Sequence, residues 1–391
     1  MDMSIFDNMK PNPVMEAAAK KRRATYEMTP NLGLINTEFG YYSLDAWKEQ
    51  GKIEGEHDPW VYDEYLQERF FLEHDGQYYL NGANWEASEF YPMFEDKHLE
   101  DRGEDKEIVQ DQYGREVLVY KRSRSGYMPE YVGHPVHDME SWKEKCEWRL
   151  NPDTEQRYID LEKKLPEAME AYKSGCMMVQ RYSGGYMYLR SLIGPEELLY
   201  MVYDDPDLIH ACMQTWFNLA DRITAYHQQF FTLDELFIGE DITYNQGPLI
   251  SPAMIEEFLF PYYKKLYENA KARQLDPTRK LHFHLDTDGF VEPVIGLYQS
   301  IGFDVFSPFE VASGSDVVKI RELHPDIIMS GGIDKRMYSA SREELKEYLD
   351  GILPVMKEKG GYIPTCDHGV PEEANYENYV YYRKRCDELS K

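Results

Sequence analysis

The sequence predicts an α/β protein, a (β/α)8 TIM-type barrel with an N-terminal cap or arm. From residue 176 onwards, short apolar runs typical of strands alternate with segments of helical periodicity. Acids, histidines and a cysteine gather where successive strands end, as expected at the working face of such a barrel. A doubly wound open sheet is the alternative, but it usually carries a glycine-rich first turn, and the sequence has neither a G-x-G-x-x-G motif nor a P-loop.

Composition limits the classes of protein to consider. The chain has 391 residues, 42% of them hydrophobic, which is enough to bury a large core. Its formal net charge of −28 repels nucleic acids and anionic membranes, so neither is an expected partner. No apolar run follows the basic residues 20–23, so neither a signal peptide nor a membrane span is indicated, and a cytoplasmic location is expected. The five cysteines are few, scattered and odd in number, which fits a reducing compartment.

The first part of the chain differs from the rest. Residues 1–160 are rich in aromatic and acidic residues without a long helical period, and we expect them to form an arm or cap on the barrel. Turn signals at 75–76 and 113–114 precede the strand-like runs 77–80 and 116–120, which predicts hairpins. The aromatic side chains, Trp60 and Trp85 among them, are candidates to cover the barrel's mouth. Residues 161–391 hold the main part of the barrel, and one structural domain is expected overall.

The second part alternates regularly between the two kinds of element. The predicted strands are 176–182, 235–239, 281–289, 303–309, 326–330 and 361–364. Helical periodicity or capping signals predict helices between them, at 208–230, after Ser251-Pro252, at 291–301, at 316–323 and after Ser341, which forms a capping box with Glu344. Strands that alternate with helices in this way form parallel β/α units, so the ends of the strands should meet at one mouth.

The strand 281–289 carries the densest set of polar residues. Its period of two places His282, His284, Asp286 and Asp288 on one face. Neighbouring strand ends add further candidates for catalysis and binding: Glu240, Asp241, Tyr244, Glu310, Asp334, Cys366, Asp367 and His368. So many acids close together would raise each other's pKa values unless a divalent metal balanced them. Zinc suits this mixture of thiolate, imidazole and carboxylate ligands, and we expect His284, Asp286, Asp288 and Cys366 to provide them.

Several motifs of this second part resemble those of the uroporphyrinogen decarboxylase superfamily. They are Gly239–Pro252, Asp286–Gly289, Phe306–Val311, Gly331–Arg336, Tyr362–Pro371 and Glu377–Tyr379. The resemblance covers roughly residues 176–388 and implies a (β/α)8 barrel, often a homodimer. Two activities dominate the superfamily: cofactor-free decarboxylation of uroporphyrinogen, and zinc-dependent methyl transfer to or from a corrinoid protein.

The motifs separate the two activities in part. The decarboxylases carry an N-terminal Gln-Ala-Gly-Arg type motif that grips the substrate's carboxylates, and nothing like it occurs near Arg22 or Arg23. The methyltransferase branch binds zinc through a His-x-Cys-Gly motif and a cysteine on the last strand. Cys366 matches that last cysteine, whereas the other motif reads Asp286-Thr287-Asp288-Gly289 here, with His284 upstream.

The resemblance therefore implies a methyltransferase that moves a methyl group between a small methylated donor and a corrinoid protein or other acceptor. His368 or Glu240 would then handle a proton. One alternative is a metal-free decarboxylase acting on a carboxylated tetrapyrrole-like substrate, in which Asp286 or Asp288 stabilises a protonated ring intermediate. Another is a non-catalytic barrel that binds a tetrapyrrole or a corrinoid protein.

Overall fold

The computed structural model describes residue 6 and residues 8–60, 63–80, 90–122 and 130–391. Thirteen strands lie in this part of the chain: β1 (Gln77–Leu80), β2 (Lys97–Arg102), β3 (Lys106–Gln110), β4 (Glu116–Tyr120), β5 (Glu130–Gly133), β6 (Met177–Ser183), β7 (Glu235–Gly239), β8 (Thr243–Tyr244), β9 (Gly247–Pro248), β10 (His282–Asp286), β11 (Val305–Ser307), β12 (Ile328–Ser330) and β13 (Tyr362–Ile363).

The same residues form fourteen α-helices: α1 (Pro13–Tyr26), α2 (Leu44–Glu49), α3 (Glu64–Phe70), α4 (Met139–Lys145), α5 (Glu155–Lys173), α6 (Gly185–Ile193), α7 (Pro195–Asp204), α8 (Pro206–His227), α9 (Pro252–Phe258), α10 (Phe260–Ala272), α11 (Glu292–Gln299), α12 (Val317–Leu323), α13 (Arg342–Lys359) and α14 (Tyr376–Leu389). The predicted capping box of Ser341 and Glu344 is present at the start of α13. The helix predicted after Ser251 is two helices, α9 and α10, which meet just before Pro261, a residue with no backbone N–H to continue the helical hydrogen bonds.

A curled parallel sheet of seven strands forms the centre of the molecule, in the order β1-β6-β7-β10-β11-β12-β13. Mixed α/β architecture with parallel strands is therefore confirmed, in the form of a half-barrel. The hairpin predicted at 75–76 is wrong, because β1 pairs in parallel with β6 inside this sheet. The other predicted hairpin is confirmed, since β3 and β4 pair antiparallel across the turn at 111–115.

The extended segment 34–38 lies beside the two outer strands of the curled sheet. The Asn36 carbonyl accepts a hydrogen bond from the amide of Glu73, just before β1. Glu38 accepts one from the amide of Cys366, just after β13, at 2.7 Å. Ile35 belongs to a buried cluster with interior side chains of four sheet strands: Met177, Val305, Ile328 and Ile363. The segment thus contacts the chain just before the first strand of the sheet and just after the last one.

A separate antiparallel sheet, β2-β3-β4-β5, belongs to the N-terminal region predicted as a cap. Strand β2 is exposed throughout, whereas Ile108 and Val109 of β3 are buried. The predicted division at residue 160 stays a prediction, and β1, which precedes it in the chain, is part of the central sheet. Among the described helices, none combines the length and apolar character needed to cross a membrane.

Candidate functional site

The loops that follow β7, β10, β11, β12 and β13 lie at one edge of the curled sheet, because the strands run parallel and their carboxyl ends coincide. We call this edge the mouth. Five predicted site residues interact electrostatically with one another at the mouth: Asp241, Asp286, Asp288, Glu310 and His368. The prediction that successive strand ends supply one polar cluster is thereby supported by the topology.

Asp288 and His368 are paired at the mouth, with Nε2 of His368 3.6 Å from Oδ2 of Asp288. Burial, reinforced by the charges of Asp241, Asp286 and Glu310, raises the pKa of Asp288 to about 8. Burial, with the nearby Lys335, lowers the pKa of His368 below its ordinary value. At neutral pH the pair therefore consists largely of a protonated carboxyl group and a neutral imidazole, a combination that can give or take a proton.

Glu310 and Asp241 are each held by a cation. Lys335 donates to Oε1 of Glu310 at 3.2 Å, and the amide of Gly289 donates to its Oε2 at 3.1 Å. Burial raises the pKa of Glu310, but the interactions that stabilise its ionised form, led by the ammonium of Lys335, outweigh burial. The pKa is therefore lowered overall. Asp241 has a left-handed backbone, with φ of 47°, and receives Arg190 at 3.0 Å.

Asp286 is the outer end of a buried chain of hydrogen bonds that runs along the inside of the sheet. The hydroxyl of Ser307 donates to Oδ2 of Asp286. Nε2 of His284 lies 2.8 Å from the same hydroxyl, and its Nδ1 lies 2.7 Å from Oε1 of Glu235. Tyr26, from α1, donates to the other oxygen of Glu235 at 2.6 Å. The chain thus links α1 to the mouth through three neighbouring strands.

Two proton arrangements satisfy this chain, because Ser307 has a single hydroxyl proton. If Ser307 donates to an ionised Asp286, His284 must donate from both nitrogens and is an imidazolium. If Asp286 is protonated, it donates to Ser307, which donates in turn to a neutral His284. The two arrangements hold the same number of protons, so the chain can move a proton to or from Asp286 without help from solvent.

Glu240 lies away from the mouth residues, in the layer between sheet and helices. It is fully buried, accepts from the hydroxyl of Tyr263 at 2.5 Å and from the amide of Tyr186 at 3.2 Å. Burial raises its pKa to about 8. Its position beside the first turn of α6 suits a structural role. None of these contacts is with a mouth residue that could exchange a proton with Glu240.

Tyr244 and Cys366 have no contact with Asp286, Asp288 or Glu310 through their side chains among the described contacts, although the thiol of Cys366 lies 3.9 Å from Oδ1 of Asp367. The Tyr244 side chain is exposed, and its backbone is packed so closely against Gly289 that a Cβ there would lie 2.7 Å from the Tyr244 Cα. The thiol of Cys366 is fully buried in the hydrophobic core, and burial raises its pKa well above the ordinary value. Neither position favours the role expected from the sequence.

The predicted zinc ligands do not assemble. Within the described ranges, no three His, Cys, Asp or Glu side chains come together in a way that could hold a metal ion. Both ring nitrogens of His284 are occupied by Glu235 and Ser307, and the thiol of Cys366 is directed to Oδ1 of Asp367, 3.9 Å away. The four residues therefore do not fit a zinc centre, because the strand that carries His284 and the loop that carries Cys366 turn these groups to different surroundings.

Four participants were not among the sequence candidates: Glu235, Ser307, Arg190 and Lys335. Glu235 is the first residue of β7, so it is not among the acids that follow the carboxyl ends of strands. Ser307 and Arg190 belong to residue types too common to stand out. Alternation along β7 and β10 could have found Glu235, since it is the register partner of His282 and lies two pairs from His284, on the same face.

Comparison with known proteins identifies the family. The family model "Uroporphyrinogen decarboxylase (URO-D)" matches residues 183–389. Among solved structures, a methyltransferase from Methanosarcina mazei is similar over 96% of this chain and 99% of its own, with a TM-score of 0.53 and 15% sequence identity. A "Putative Vitamin-B12 Independent Methionine Synthase from Listeria monocytogenes" covers 56% of this chain and 66% of its own, with 14% identity and a TM-score of 0.31.

A search of the curated proteins returned no match. At these identities, the likeness to the Methanosarcina mazei structure is evidence for the fold alone, and the Listeria structure is too dissimilar for any argument. The family match extends over more than half of the chain, from the end of β6 to the last helix. The chain belongs to the uroporphyrinogen decarboxylase (URO-D) family.

Proposed function

We propose that the protein is a methyltransferase that moves a methyl group between a small methylated donor and a corrinoid carried by a partner protein. The observation that carries the proposal is the charge at the mouth. Asp288 is under the influence of three carboxyl groups, those of Asp241, Asp286 and Glu310, against a single lysine, Lys335. Of the two activities expected for this superfamily, such a site suits the one with a neutral or cationic substrate.

The decarboxylase alternative needs the opposite arrangement. A carboxylated tetrapyrrole would bring several negative charges to acids that already repel one another, and like charges that meet in a partly buried site cost several kcal/mol. Arg190 and Lys335 are engaged with Asp241 and Glu310. The solved structure that shares this fold over nearly the whole chain is itself described as a methyltransferase.

Methyl transfer sets a definite task for the residues of the mouth. The bond between the methyl carbon and the donor's heteroatom breaks, its electron pair stays on the heteroatom, and the acceptor supplies the pair for the new bond. A corrinoid would be that acceptor. The heteroatom leaves easily only if it leaves as a neutral group, so an ether oxygen needs a proton while an ammonium nitrogen already carries its positive charge.

Asp288 can meet either requirement, according to its proton. Protonated, it would give its proton to an oxygen and could be recharged through His368. Ionised, it would pair with a cationic donor. Asp286, held by Ser307, would orient the donor from the inner side. The predicted zinc has no assembled ligand set, and the proposed steps use none.

We also propose that the segment 34–38 takes the place of an eighth strand and so completes the barrel. Its contacts with Glu73 before β1 and Cys366 after β13 support this, as does Ile35, which packs with interior residues of the sheet. The homodimer that the resemblance implies stays a prediction.

Methyl transfer can be measured with free cob(I)alamin as acceptor, by the absorbance of methylcobalamin. Choline and methoxybenzene would represent cationic and ether donors. We expect transfer from one class, and a loss of about a hundredfold in Asp288→Ala. Asp326→Asn is the matched control, since Asp326 is exposed and lies just before β12, at the opposite edge of the sheet.

Three results would contradict the proposal. Loss of carbon dioxide from a carboxylated pyrrole in the presence of chelator, without methyl transfer, would establish the decarboxylase instead. A change in visible absorption on titration with a tetrapyrrole, without turnover, would indicate a binding protein. An unchanged rate in Asp288→Ala would remove Asp288 from the site.

A further inference from the structure

Two aromatic rings contact the imidazole of His368, and a third ring packs against both of them. Phe39 and Tyr42 follow the segment 34–38 at its mouth end, and Trp60 lies across from both. The ring of Trp60 is nearly perpendicular to Phe39 (centroids 6.0 Å apart, 85°) and to Tyr42 (5.4 Å, 84°). The imidazole of His368 lies 5.2 Å from Phe39 and 5.8 Å from Tyr42. We call Phe39, Tyr42 and Trp60 the aromatic wall.

The backbone holds the aromatic wall against the loop that carries His368. The amide of Tyr42 donates to the Val370 carbonyl, and the amide of Val370 donates to the Gly40 carbonyl, both at 2.8 Å. Two glycines make this approach possible: a Cβ at Gly40 would overlap the ring of Trp60, and one at Gly369 would overlap the ring of Tyr42. Phe39 and Trp60 remain 37% and 50% exposed, so a small ligand can reach their faces.

Asp288 reaches the same imidazole, with its Oδ2 3.6 Å from Nε2 of His368, so His368 contacts both the aromatic wall and one of the mouth acids. The charges that bear on Asp288 are those of Asp241, Asp286 and Glu310, which are negative, and that of Lys335, which is positive. Lys335 pairs with Glu310 and Arg190 pairs with Asp241, whereas among the described residues the side chain of Asp288 is paired only with the imidazole of His368. The carboxyl group of Asp288 is therefore the one that calls for a further cation. The donor set does not fit a metal ion in the described residues, whereas aromatic faces beside carboxylates are how proteins bind organic ammonium ions.

We infer that the mouth takes a methylated ammonium cation as the methyl donor, with its charged head between the aromatic wall and Asp288. The inference rests on the proposed function and names its substrate class. The C–N bond would break with its electron pair left on nitrogen, so that the donor departs as a neutral amine and the methyl group passes to the acceptor named above. No proton is consumed, and Asp288 acts as the counterion.

Binding can be tested by calorimetry on the whole chain, without any acceptor, using choline and its uncharged isostere 3,3-dimethyl-1-butanol. We expect choline to bind at least about tenfold more tightly, because the two differ in charge rather than in shape. Trp60→Ala should weaken choline binding about fivefold to tenfold, and Trp60→Phe should retain most of it. Trp148→Ala is the matched control, since Trp148 is 49% exposed and belongs to another surface.

The pH dependence distinguishes a counterion from a proton donor. Choline binding should tighten as the pH rises from 6 to 9 and Asp288 ionises, and Asp288→Asn should bind weakly with no such rise. His368, Lys335 and the acids Asp241, Asp286 and Glu310 face Asp288 from the neighbouring loops, so His368→Gln serves to separate the titration of the imidazole. Tightening that persists in Asp288→Asn would overturn the assignment.

The outcomes separate the inference from the proposed function. Equal binding of choline and its isostere, or an unaffected Trp60→Ala variant with a native melting temperature, overturns the inference. Transfer from methoxybenzene but not from choline leaves a methyltransferase and overturns the inference. Choline binding that depends on Trp60 and Asp288, without transfer to cob(I)alamin, supports the cation site and contradicts the methyltransferase.

Discussion

The carboxyl group of Asp288 is exposed to the negative charges of three others, those of Asp241, Asp286 and Glu310. Because its pKa is raised, the folded chain holds the proton that the unfolded chain has lost at neutral pH. Ionisation of Asp288 therefore lowers stability progressively as the pH rises from about 4, the ordinary pKa of an aspartic acid, to about 8. Below that window both states are protonated and the residue contributes nothing to the pH dependence.

Asp288→Asn removes this titration. We expect the variant to melt about 2 °C above the parent at pH 8 and at the same temperature at pH 4, because an amide cannot ionise and the side chain is only half-buried. Calorimetry or circular dichroism at the two pH values would measure the difference. A variant that is less stable than the parent at pH 8 would show that the carboxylate is not under strain.

At the scale of elements, the buried chain from Glu235 through His284 and Ser307 to Asp286 joins β7, β10 and β11. Ser307→Ala removes the middle of the chain and leaves a buried imidazole nitrogen and a carboxyl oxygen without their shared partner. We expect a loss of about 1–3 kcal/mol in the free energy of unfolding. A smaller loss, within about 0.5 kcal/mol, would mean that water takes over both bonds.

His284→Gln combined with Ser307→Ala tests whether these residues act as one unit. We expect the double variant to lose less than the sum of the single losses, by about 1 kcal/mol, because the second change finds the chain already broken. Asp326→Asn combined with Ser307→Ala should be additive, since Asp326 is exposed and shares no partner with Ser307. Denaturant titration of the parent, the two single variants and the double variant gives the coupling free energy directly, and the same set with Asp326→Asn gives the control.

At the scale of the whole molecule, a buried ion pair joins the segment 34–38 to the last helix, α14. Glu38 and Arg383 are fully buried and lie 3.3 Å apart, and Glu38 also accepts from the amides of Phe39 and Cys366 and from the hydroxyl of Tyr379. Burial raises the pKa of Glu38 although Arg383 opposes the shift. The segment 34–38 is thus held to the end of β13 and to α14.

Arg383→Ala would leave the carboxyl group of Glu38 buried without its cation. We expect a loss of about 3–5 kcal/mol in the free energy of unfolding, the range found when one partner of a buried pair is removed. Arg385→Ala, on the same helix but exposed in part, should cost at most about 1 kcal/mol. Similar losses for the two variants would argue that the pair does not tie the segment to the sheet.

The sequence by itself determined the parallel α/β fold and the edge at which polar residues collect. Both follow from local patterns: β7, β10, β11, β12 and β13 are short apolar runs between helices, and parallel strands must bring their carboxyl ends to one edge. Asp286, Asp288, Glu310 and His368 could be found in this way. β1 could not, because a turn followed by a strand looks the same whether the strand pairs with its neighbour in the chain or with β6.

Only the tertiary structure decided which of these polar groups face one another. Glu240 directly precedes Asp241, and a side chain one residue along the chain points to a different face, where Tyr263 occupies it. His284 shares the face of Asp286, but both of its ring nitrogens are already bonded, to Glu235 and to Ser307. The aromatic wall was equally hidden, since Phe39 and Tyr42 meet His368 across more than 300 residues of chain. Long-range packing, which no local pattern encodes, therefore decides which side chains meet at the mouth, and it is the basis of the proposed cation site.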